Sequence, residues 1–275
     1  MKKYLFTLIL ASLVSLIFAG DEETLKMEWK KDSKFDLSVS EKVELSYGEG
    51  QDLVATLSMN ANIEVIDSKK DEVSVNVRLA SLKRSGEVEF DSEKLEGDAQ
   101  KKMFSSIKEK GVTVSISKGE IKEIKNLEEL SKEASAGDEN TSAMLTYQYD
   151  TAIRAMLRWL LFTSSFEKRG ETKKLSERIG TKWDASAKPF SAMISQEIEI
   201  TYEATLKEVK EQKAILNLSP KSAKTEEVKE VKGSGTLEFD TAKKRPVKLS
   251  LEQSFKLEDG TEKQKITVEL SDPKK

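Results

Sequence analysis

Over most of its length this chain places an apolar residue at every second position. Val73, Val75, Val77 and Leu79 are the cleanest run, and Leu53, Ala55, Leu57, Met59 and Ala61 make another that continues through Ile63 and Val65. Phe35, Leu37 and Val39, continued by Val43 and Leu45, repeat the pattern. A period of two turns alternate side chains to opposite faces, so one face can be buried while the other meets water. Links of turn residues, such as Tyr47-Gly48-Glu49-Gly50 and Asp67-Ser68-Lys69-Lys70-Asp71, separate the runs. The alternation resumes after Gly180, with Ile194, Ile198, Ile200 and Tyr202 and then Ala214, Leu216 and Leu218. It ends in three strands, around Leu237, Leu249 and Ile266, with Asp259-Gly260 turning the last pair. The expected class is α+β, dominated by antiparallel sheet curved into one half-barrel or kept as two units.

One long stretch breaks this rule. From Ser142 to Phe166, Leu145, Tyr149, Ile153, Met156 and Leu160 recur three or four residues apart and form a helical stripe, widened by Ala152, Trp159 and Phe162. Asp150, Arg154 and Arg158 mark its polar side, and the two arginines argue against a membrane span, since each costs roughly 2.5–3.5 kcal/mol at a bilayer centre. A single amphipathic helix is expected here. Its apolar face either fills the core under the sheets or lines a cleft, and the candidate lining residues are Tyr149, Ile153, Met156, Trp159, Leu160 and Phe162. Shorter helices are expected within 92–110, stopped by Gly111, and over 126–133 with Asn126 as N-cap. Between them Val112, Val114 and Ile116 pair with Ile121 and Ile124 as a hairpin.

The N-terminus has the layout of a secretory signal. Lys2 and Lys3 precede an apolar run from Tyr4 to Phe18, with the small residues Ala19 and Gly20 before an acidic segment. The organisation expected is a signal peptide over 1–19, an N-terminal β-rich half over 20–141, the helix over 142–166 and a C-terminal β-rich half over 167–275. A secreted or periplasmic protein follows, without a membrane span after cleavage. The chain has no cysteine, which removes disulfides and a lipid-anchor thiol. It has no histidine either, which removes Ser-His-Asp and Cys-His hydrolysis and histidine-ligated zinc. With 46 basic against 49 acidic residues there is no net positive footprint for nucleic acid. No cofactor or metal is expected. A carboxylate pair needs neither missing residue, but 35% of the chain is charged and no acidic pair stands out.

Several phrases resemble a family of exported bacterial proteins classed only as a domain of unknown function. They are Met27-Glu28-Trp29 before the first strand, the segment GVTVSISKGEIKEIKNLEEL over 111–130, Gly180-Thr181-Lys182-Trp183, and Gly235 to Asp240 before the closing strands. The resemblance implies a β-rich exported domain without an assigned activity. The halves also share an order of features, SGEVEFDSEK over 85–94 against GSGTLEFDTAK over 233–243, which suggests an internal duplication. The functional expectation is a non-enzymatic binding module of the envelope for an apolar or lipid-like ligand. The alternatives are a structural or interaction protein of the envelope, whose partner is an envelope protein, and a carboxylate-dependent hydrolase.

Overall fold

The computed structural model describes residues 25, 27–48, 50–69, 72–86, 89–164, 175–194 and 196–273. The expected signal peptide, the last two residues of the expected helix and the start of the expected C-terminal half lie outside these residues.

The long alternating runs form strands, and shorter strands lie between them. In the first half these are β1 (Lys34–Tyr47), β2 (Gln51–Lys69), β3 (Glu72–Ser85), the short β4 (Phe90–Asp91), β5 (Val112–Ser117) and β6 (Glu120–Lys125). In the second they are β7 (Lys182–Ala187), β8 (Phe190–Ser191), β9 (Gln196–Glu197), β10 (Ile200–Lys210), β11 (Lys213–Ala223), β12 (Glu230–Asp240), β13 (Arg245–Lys256) and β14 (Gly260–Ser271). Apart from the β8–β9 ribbon they make one antiparallel sheet in the order β6-β5-β3-β2-β1-β14-β13-β12-β11-β10-β7, with β4 added beside β3. The halves are joined by β1 against β14, in register from Asp36–Ser271 to Tyr47–Gly260. Two prolines lie inside strands, and each sits beside a register shift: Pro220 opposite Tyr202 and Pro246 opposite Phe239. A bulge is where a sheet tolerates a residue with no N–H to give.

The sheet is open, yet strongly curled. Laid flat, eleven strands at about 4.8 Å spacing would hold their edges roughly 48 Å apart. Instead Lys188, directly after β7, reaches Glu120 at the start of β6 at 3.9 Å. The two edges therefore come within side-chain reach of each other across a cleft, without a hydrogen-bonded ladder between them, and the apolar faces of the long strands look into one trough.

Three α-helices are found among the described residues, the long one and the two shorter ones where they are expected: α1 (Asp98–Glu109), α2 (Leu127–Ala134) and α3 (Glu139–Ser164). α1 ends as expected at Gly111, whose φ of +75° favours glycine. A Cβ there would also lie 2.0 Å from Asn76 Oδ1. α2 forms where expected, but Asn126 does not cap it with its side chain: its backbone adopts the left-handed conformation, φ +58°. α3 starts three residues earlier than expected because Asp138 Oδ1 accepts the Thr141 amide at 2.8 Å. Ser131 ties α2 to α3 by hydroxyl contacts to Ser142 at 2.9 Å and Thr146 at 2.7 Å. No helix among the described residues is long and apolar enough to cross a membrane.

α3 occupies the trough. Leu145, Tyr149, Ile153, Met156, Leu157 and Leu160 are all fully buried, and each contributes about 1.5–3 kcal/mol by burial. Phe90 stands edge-on to Tyr149 at 6.2 Å, and Phe162 edge-on to Tyr202 at 5.4 Å. The two phrases that suggested a duplication occupy different settings. Phe90 belongs to a two-residue strand and Phe239 to the eleven-residue β12.

Candidate functional site

The stripe of α3 is filled, while the flank beside it is open. Where α3 passes the upper ends of β1, β2 and β3, it presents Thr151, Ala152 and Ala155, and β2 presents Ala55 and Thr56. Side chains this small leave space that leucines would occupy in a close-packed interior. The result is a mostly apolar cavity of about 560 Å³, walled also by Val43, Leu57, Leu82 and Phe90. Met144 and Tyr147 line it on the solvent side and are 53% and 75% exposed, an unusual setting for large apolar residues.

Of the six residues marked in the sequence, only Trp159 lines this cavity. Tyr149, Ile153, Met156 and Leu160 point into the core instead. Phe162 is also buried, against Trp159 at 5.3 Å, and borders a separate polar cleft between the two sheet edges. The helical stripe located the element, and the next face round the helix carries the opening.

Polar groups converge at the inner wall. Glu41 follows Phe35, Leu37 and Val39 on the inward register of β1 and is half-buried there. Trp159 Nε1 donates to Glu41 Oε2 at 3.2 Å. Removal from water pushes the Glu41 carboxyl up to about 6, with the neighbouring Glu262 raising it further; the indole bond and Arg158 act in the opposite sense.

Glu262, on β14, is fully buried and clasps the β8–β9 ribbon. Its Oε2 accepts from Ser191 Oγ at 2.5 Å and from the Met193 amide at 3.1 Å. Its Oε1 accepts from the Ala192 amide at 3.1 Å and from Gln264 Nε2 at 2.7 Å. A buried carboxylate is tolerated only with such a set of donors. The chain of bonds continues: Gln264 Nε2 also donates to the Phe190 carbonyl at 2.6 Å, Gln253 Nε2 to Gln264 Oε1 at 2.8 Å, and Tyr202 Oη to Gln253 Oε1 at 2.6 Å. Arg158 completes the hold on the ribbon. Its guanidinium lies 5.0 Å from the Phe190 ring centre, and its Nε donates to Glu197 at 2.9 Å. Phe190 and Ala192 thereby form one end of the cavity.

The expected elements include neither this polar belt nor the ribbon, and Ile194, expected in a strand, lies in the turn between β8 and β9. The signal was nevertheless present. Glu41, Gln253, Glu262 and Gln264 all share the inward parity of their apolar neighbours, and the register places Gln264 opposite both Val43 and Gln253.

A family model described as a family of unknown function (DUF6263) matches residues 72–271. The chain belongs to this family. The matched segment of this DUF6263 member begins at β3, so Glu41 and the cavity walls on β1 and β2 lie before it. No curated protein matches the chain. Among solved structures, a lipovitellin structure titled for its lipid–protein interactions is similar at 10% identity and a TM-score of 0.46. It covers 90% of this chain, which spans only 26% of the lipovitellin chain. DynF from the dynemicin pathway of Micromonospora chersina is similar at 7% identity and a TM-score of 0.21, covering 92% of this chain and 86% of its own. Salmonella typhi OmpF in complex with daunomycin is similar at 3% identity and a TM-score of 0.20, covering 87% and 97%. At these scores none of the three bears on function.

Proposed function

We propose that this protein is an exported, non-enzymatic binding module of the cell envelope that holds an apolar or lipid-like ligand beside α3. The observation that carries the reading is the cavity of about 560 Å³, apolar within and bordered on its solvent side by exposed Met144 and Tyr147. Its size falls in the range of small-molecule sites, roughly 300–1,000 Å³, and it shares their plan of apolar walls with a few convergent polar groups. The two inward carboxylates also favour binding over hydrolysis. Both oxygens of Glu262 are engaged by donors that hold the ribbon, so Glu262 is not free to share acid and base roles with Glu41.

The test is uptake of the neutral dye Nile red by the purified protein, together with native mass spectrometry of protein isolated from its host. A bound, blue-shifted dye and a co-purified small molecule are expected. Ala155→Phe, which fills the cavity from α3, should abolish dye uptake while leaving the circular dichroism spectrum unchanged. Absence of dye uptake and of any co-purified mass would overturn the reading. Export is tested by N-terminal sequencing of the protein from its host, with a new terminus near residue 20 expected.

A further inference from the structure

Resting on the reading of the cavity as a ligand site, we propose that its occupant is a single-chain amphiphile whose head donates hydrogen bonds and carries no negative charge, an alcohol or a protonated amine, seated on Glu41. Charge and hydrogen-bond complementarity select this head group. Glu41 lines the cavity; its Oε2 is engaged by Trp159, whereas its Oε1 has no hydrogen-bond partner among the described residues. An acceptor at an apolar wall gains from a donor and loses from another acceptor. The charges around it point the same way. Glu262 is close enough to Glu41 to add to the negative potential there. Arg158, the cation nearest the inner wall, is already drawn to Glu197 and the Phe190 ring. The other charged lining groups, Arg84 and Glu89, are both exposed at the rim and are of opposite sign. A carboxylate head placed at the inner wall would therefore confront two carboxylates, and like charges brought together at a binding surface are strongly disfavoured. A hydroxyl or ammonium would instead complete the bonding of Glu41.

Isothermal titration calorimetry of the full chain at neutral pH with decylamine, decanol and decanoate decides the matter. Decylamine and decanol are expected to bind at least about tenfold more tightly than decanoate, the size of one mismatched head contact. Glu41→Gln keeps an acceptor and removes the charge, so the preference should shrink to about threefold or less. Equal affinity for decanoate in the wild type, as from a carboxylate held at the rim by Arg84, would overturn the head-group assignment and leave the cavity reading standing. So would a preference unchanged by Glu41→Gln. Failure of all three to bind would overturn the cavity reading and the assignment with it. The wild-type comparison decides even if the variant does not fold.

Discussion

Glu41 occupies a position that strand alternation reserves for an apolar side chain, and its behaviour with pH follows from that. Its carboxyl is raised from 4.5 to about 6, first by loss of water, so the folded protein holds the proton more tightly than the unfolded chain. The contribution is fully present below 4.5 and is lost as pH rises through 6. Glu41→Gln should therefore match the wild type near pH 4.5 and exceed its stability near pH 7 by on the order of 1–2 kcal/mol. Urea denaturation of both proteins at the two pH values measures this. The subtraction cancels surface carboxylates such as Glu64 and Glu203, whose lysine partners lower them and act in the opposite direction. Tyr149 offers a second case. Its hydroxyl is buried without a hydrogen-bond partner among the described residues, and burial raises it far above the usual phenol range. Tyr149→Phe removes an unsatisfied group while keeping the ring against Phe90, so its thermal midpoint should equal or exceed that of the wild type, with a gain of up to about 1 kcal/mol.

At the scale of elements, what could be read from the sequence depended on how locally each element is specified. The long strands follow from period-two alternation alone, α1 from helical spacing with a stop at Gly111, and α3 from helical spacing, though its start lies three residues before the one the spacing marks. The β8–β9 ribbon has only two residues in each strand, too few to show a period, and it is held by Glu262, some seventy residues further on. The same distance hid the polar belt. Val43 and Gln264 become neighbours only once β1 is known to pair with β14. The cavity was missed for a related reason, because an absence of bulk at Ala55, Ala152 and Ala155 has meaning only when those positions are known to face one another. Glu262→Gln tests the clamp directly. It replaces one acceptor oxygen with a donor, so either the Ala192 or the Met193 amide faces an N–H. A loss of about 1–3 kcal/mol is expected in urea denaturation. Hydrogen exchange should quicken at those two amides before it does in β13 and β14.

For the whole molecule, the decisive relation is between the two edges. β6 and β7 lie at opposite ends of the strand order and still approach through Glu120 and Lys188. Exposed pairs of this kind contribute about 0–1 kcal/mol, so the curl is set by α3 within the trough and not by the ion pair. A protein without cysteine allows a clean check. Glu120→Cys combined with Lys188→Cys should give a rapid intramolecular link with a short bismaleimide, seen as a mobility shift under denaturing conditions. Either single replacement should give none. A closed barrel has its girth set by the ladder running round it. This sheet is more like a cuff whose ends face each other but are not sewn, and its girth can follow the bulk of what it encloses. Enlarging a buried side chain on α3 should thus open the cuff at β6 and β7 and leave every rung of backbone bonding intact.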